Sequence, residues 1–207
     1  MPRARFLRRG VWLEAATVGW NVVEGAIAVS AGAHAASVAL IGFGIDSAVE
    51  TASGAVVGWR LWAEFTGRGD AERIEQMEHG AGRIAGTLLL ALAAYILVDA
   101  GRRLFGFGAE ARESLVGIVL TAISLIVMPV LGWVKLRTAR ALQSGALRAD
   151  AYETIACSWL SLTTLLGLLL NAALGWWWAD ALAALIIVPL IVKEGLEGLQ
   201  GKCHDSD

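Results

Sequence analysis

The sequence predicts an all-α membrane protein: a six-transmembrane-helix bundle with both termini in the cytoplasm. Three observations carry that prediction. Of 207 residues, 57% are hydrophobic and 17% charged, against about 45–50% and about 25% in an ordinary soluble domain. The apolar residues gather into six segments, and a helix needs about 20 such residues to cross a bilayer. Nine tryptophans stand against two tyrosines, which suits ring anchors at a membrane interface. Mean hydropathy is +0.61. So much apolar surface with a net charge of only -2 excludes disorder. An isoelectric point of about 5.9 argues against a nucleic-acid-binding protein. Six spans use roughly 120 residues, which leaves loops and tails but no second domain.

Residues 1–10 form a basic cytoplasmic start, with Arg3, Arg5, Arg8 and Arg9. The pattern invites comparison with a signal peptide, and Ala33-His34-Ala35 resembles a cleavage site. The first segment, 11–30, is nevertheless too long for such a leader and is interrupted by Glu14, Asn21 and Glu24. Cleavage is therefore not expected. The remaining segments are 37–62, 81–100, 114–134, 152–170 and 177–192, all read as helices because hydrocarbon leaves no partner for an open backbone. Together they make a six-helix domain over 11–194, with a short cytoplasmic tail at 195–207.

The connectors fix the orientation. Every Lys and Arg but Arg102, Arg103 and Arg112 falls on one side of the six spans, and that side is cytoplasmic by the positive-inside rule. Trp176, Trp177 and Trp178 then mark the outer interface. Gly54/Gly58 and Gly82/Gly86 have the spacing of close helix contacts. Cys157 lies in an apolar run and Cys203 in a polar tail, so a disulfide framework is not expected.

The chemistry sits in residues the membrane should exclude. A carboxylate at mid-bilayer costs a few kcal/mol and marks a functional site by default. Asp46 and Glu50 are four apart near the middle of the second segment, on one helical face. Two acids there repel each other unless protons or a cation intervene. Glu153 and Cys157 form a second pair four apart in the fifth segment. Two such pairs can supply four converging ligands, and carboxylate oxygens with a thiolate suit a tetrahedral divalent ion such as zinc. Taken singly, Cys157 reads as a small hydrophobe and Glu153 as an interfacial residue.

Glu24 is a possible lining residue of the same cavity, whereas Glu14 lies close enough to the cytoplasm to be solvated. Asp99, Asp150, Asp180 and Asn171 read as helix-end residues. Cys203 and His204 read as part of a solvated tail. Nucleophile-elbow, Walker A and H-E-x-x-H motifs are missing from the sequence, so no enzyme is predicted.

Three stretches carry a family resemblance: Gly42 to Glu50 with its acid-x-x-x-acid spacing, Ser144 to Ala151 leading into the fifth segment, and Trp176 to Leu185 opening the sixth. With the helix count, the chain resembles the cation diffusion facilitator, or cation efflux, family in a short form without the usual C-terminal cytoplasmic domain. The resemblance implies a metal site formed by Asp46, Glu50, Glu153 and Cys157, proton-coupled efflux, and a homodimer held through the membrane helices. The commoner family pattern has Asp at the position of Glu50, and His or Asp with Asp on the fifth helix.

Cys157 favours softer ions such as zinc, cadmium or cobalt; the carboxylates leave iron and manganese open. No prosthetic group is expected. The reading is a divalent-metal transporter of the plasma (inner) membrane whose partners are protons and the ion. Two alternatives stay open. One is a membrane sensor or scaffold that binds metal without moving it. The other is a proton-coupled carrier of a small organic cation.

Overall fold

The structure, a computed structural model, describes residues 2–35, 38–68, 70–106, 115–174 and 178–200. The helices are α1 (Pro2–Ala35), α2 (Val38–Phe65), α3 (Ala71–Leu104), α4 (Leu115–Leu142), α5 (Gly145–Leu174), α6 (Ala179–Leu185) and α7 (Val188–Gln200). Arg112, Trp176, Trp177, Cys203 and His204 lie outside the described residues.

Each of the first five predicted segments maps onto one helix. The sixth does not stay whole, because it is broken into α6 and α7 at Ile186 and Ile187. Pro189 supplies the reason. It has no N–H, and its ring clashes with the carbonyl four residues back, at Leu185, where α6 ends.

Local chemistry sets the other boundaries. Gly67 ends α2 at φ +66°, while the Arg68 amide donates back to the Ala63 carbonyl at 2.9 Å, a glycine C-cap. Asp70 opens α3 by accepting from the Arg73 amide at 3.0 Å, an N-cap bond. Between α4 and α5 only Gln143 and Ser144 intervene. Gln143 takes the left-handed conformation at φ 52°, and the Ser144 hydroxyl accepts from the Leu147 amide at 3.1 Å. A turn that short forces α4 and α5 to run antiparallel.

Helices α1, α2, α4 and α5 close on one another as a four-helix bundle: α1 on α2, α2 on α5, α5 on α4, and α4 on α1. Outside it, α3 packs on α5 and α2, and α6 and α7 pack on α3 and α5. Glycine makes the closest approaches possible. A Cβ on Gly86 would stand 2.6 Å from the Gly195 carbonyl oxygen, and one on Gly82 3.4 Å from that of Gly198. In this seam the backbones of α3 and α7 touch directly, as small-residue helix pairs in membranes do. Gly25 and Gly44 make a similar contact between α1 and α2.

Polarity is distributed inversely to that of a soluble protein. Ile126, Val130 and Ile186 are exposed on the outside, while Glu14, Glu24, Glu50, Asp150 and Glu153 are buried inside. Trp12, Trp59 and Trp133 are exposed at one level of α1, α2 and α4, as an aromatic belt would be. The Arg137 guanidinium lies 3.5 Å from the centre of the Trp133 ring. Two stretches among the described residues, Ala71–Arg102 and Val119–Leu142, are long and apolar enough to cross a membrane by length and composition. Buried Glu14 and Glu24 lower the hydropathy of α1.

Candidate functional site

Helical periodicity puts one polar stripe of each bundle helix on the inside. On α1 it is Glu14, Thr17, Asn21 and Glu24; on α2 it is Ser47, Glu50 and Ser53; on α5 it includes Asp150, Glu153, Thr154 and Cys157. All of these are buried. Helix α4 contributes Ser124 and Lys135, also buried. Because α1 and α5 run opposite to α2 and α4, the stripes register in layers along the bundle axis.

The first layer, nearest the N-terminal end of α1, is an ion triad. The Lys135 ammonium lies 2.5 Å from Asp150 Oδ2 and 2.9 Å from Glu14 Oε2. Lys135 and Asp150 are 0% exposed and Glu14 1%. Helix α2 has no side chain there: a Cβ on Gly54 would meet Glu14 Oε2 at 2.9 Å, and one on Gly58 would meet Glu14 Cβ at 3.0 Å. Glu14 is therefore desolvated and paired, contrary to the solvated position expected for it. Asp150 is likewise a buried ion-pair partner rather than a helix-end cap.

One turn further along, Glu50 lies within electrostatic reach of Lys135, Asp46 and Asp150. Glu153 lies within reach of Asp150, Glu50 and Asp46. Neither Glu153 oxygen makes a hydrogen bond of good geometry, nor does Glu50 Oε1, although the Ser53 hydroxyl stands beside Glu153. Next, the Cys157 thiol donates to Asp46 Oδ2 at 2.9 Å, and Asp46 keeps partial exposure. In the last layer Glu24 accepts from the Ser124 hydroxyl and, at 3.3 Å, from that of Ser47.

The fold thus gathers Asp46, Glu50, Glu153 and Cys157 on the facing sides of α2 and α5, with Glu24 one layer away. It does not close them into a ligand shell: among the described residues no three His, Cys, Asp or Glu side chains stand at metal-holding distances. Binding an ion would require these side chains to draw closer together, and Glu153, neither of whose oxygens makes a hydrogen bond of good geometry, has little to give up. Sequence reasoning missed the triad. Its signal was periodic: Glu14 continues the stripe of Thr17, Asn21 and Glu24, and Lys135 continues that of Ser124 and Met128.

Residues 16–199 match the cation efflux transmembrane domain. The chain belongs to the cation efflux family. The match begins just after Glu14 and takes in every other residue of the layers. No curated protein matches the chain at a significant level. As a cation efflux domain the chain is a membrane protein of a metal-cation transporter family, not of an enzyme family.

Proposed function

We propose that this cation efflux protein exports a divalent transition metal, zinc in the first instance, in exchange for protons. The ion is held near the bilayer midplane by Asp46, Glu50, Glu153 and Cys157, with Glu24 on its path. Both termini lie in the cytoplasm, the membrane is the plasma (inner) membrane, and two copies pair through their helices.

One observation carries the reading: acids exceed cations inside the bundle. Lys135 is shared by Glu14 and Asp150, so it does not fully neutralise Glu50, Glu153, Asp46 and Glu24. Buried carboxylates that close cannot all ionise without a compensating charge. Protons and a divalent cation are interchangeable solutions, and competition for the same atoms is what an exchanger requires. A thiolate among carboxylates favours zinc over harder ions. Exposing the site to either side in turn then couples the two fluxes.

The test is zinc uptake into sealed inside-out vesicles under an imposed pH gradient. Uptake should follow the gradient, reverse with it, and vanish in Asp46→Ala. Uptake that persists unchanged in Asp46→Ala would overturn the proposal.

A further inference from the structure

The Glu14–Lys135–Asp150 triad is not required by the proposed ligand set, yet it is among the most completely enclosed groups in the protein. Three facts define its place. It is contributed by α1, α4 and α5, three of the four bundle helices. The fourth, α2, closes against it through Gly54 and Gly58, with no side chain between. It lies level with the exposed Trp12, Trp59 and Trp133, the level of a membrane interface. At that level all three charged side chains are buried. Further along the axis, Asp46 retains accessible surface.

We infer that Lys135 is a tethered cation that plugs the inner mouth of the transport path. Its ammonium fills the place between two carboxylates through which a metal ion arriving from the cytoplasm would pass. The inference rests on the transporter reading above for the direction of the path.

While Lys135 bridges Glu14 and Asp150, α1, α4 and α5 are pinned together and the ligand layer is shut off from that side. Opening inward means parting α1 from α5, which breaks at least one of the two ion pairs. The carboxylate so released faces the path and can receive an incoming cation in place of the ammonium. Glu50 lies within electrostatic reach of Lys135 and is the next acid in line. Cargo that has passed the buried Leu61 and Leu147, which lie one turn nearer the start of α1, therefore meets a relay of carboxylates. Lys135 acts through its neighbours and is a positioning residue rather than a metal ligand.

Cys157 is a built-in reporter, since it lies beyond the plug and is 6% exposed. The chain carries two cysteines, so Cys203→Ser leaves Cys157 as the sole thiol. In that background, a membrane-impermeant cationic thiosulfonate is applied separately to the cytoplasmic and outer faces of vesicles. Lys135→Met should raise the cytoplasmic labelling rate at least tenfold and leave the outer rate unchanged. Lys135→Arg, which keeps the charge, should label at the parent rate.

Lys135→Met leaves two buried acids uncompensated and can fail to fold. The neutral set Glu14→Gln, Lys135→Met and Asp150→Asn leaves no unpaired charge and should show the same one-sided increase. An unchanged cytoplasmic rate in the folded neutral set overturns the inference. So does an equal rise on both faces, which would mean a loosened bundle. Zinc protection separates this from the transporter reading: faster labelling that zinc does not slow keeps the plug and removes the metal site.

Discussion

Cys157 on α5 donates its thiol hydrogen to the Asp46 carboxylate on α2, across 2.9 Å. A proton thus sits between two groups proposed to share a metal ion. Replacing Cys157 with Ser keeps a donor but exchanges a soft sulfur for a hard oxygen. Cadmium-to-manganese preference in competitive uptake should fall about tenfold, equivalent to ~1.4 kcal/mol. An unchanged ratio would return Cys157 to a packing role.

Glu153 separates function from stability. Both its oxygens are buried without a well-formed hydrogen bond, so its negative charge contributes little that holds the fold together. Glu153→Gln should leave the melting temperature in detergent unchanged or raise it, while metal uptake falls at least tenfold. A large loss of stability would show Glu153 to be structural.

The glycine seam between α3 and α7 makes a graded prediction. Gly86→Ala places a methyl group 2.6 Å from a backbone oxygen and Gly82→Ala one at 3.4 Å. Overpacking of the first kind typically costs about 1–3 kcal/mol, and the second should cost well under half as much. Thermal melts of the two variants in one detergent check the order; equal losses would contradict the seam.

Glu78 joins three helices. It pairs with Arg60 of α2 at 2.6 Å and accepts from the Ser144 hydroxyl at 2.8 Å and the Ala146 amide at 3.0 Å, at the start of α5. Removing a charged acceptor from partly buried donors costs about 1.5–3 kcal/mol. Glu78→Ala should therefore lower stability by about 2 kcal/mol, and Glu78→Gln by less, as read from chemical unfolding in mixed micelles.

The sequence made much of this legible because the membrane makes a polar residue conspicuous. Asp46, Glu50, Glu153 and Cys157 stand out in apolar runs at helical spacing, and the fold places all four on facing helices. Glu14, Lys135 and Asp150 did not stand out, because each lies near the end of an apolar run, where a charge ordinarily meets water or headgroups. Their pairing joins residues 14, 135 and 150, and only tertiary packing brings those together. Lys135 had a ready explanation as one of the charges that orient the chain, which hid its second role. The break at Ile186 and Ile187 was readable from Pro189. Glu78 lies between the second and third apolar segments, and its partners on α2 and at the start of α5 are joined to it only by tertiary packing.

The seam of Gly82, Gly86, Gly195 and Gly198 has a mechanical consequence. Where two backbones touch with no side chains between them, there is no layer that can repack as one helix slides over the other. Helices α3 and α7 then behave as a single stave, and Glu78 fastens the N-terminal end of α3 to the start of α5. Force applied to the loop between α2 and α3 would be delivered at Ser144 and Ala146, about one helical turn from Asp150, like a handle mounted on the bundle.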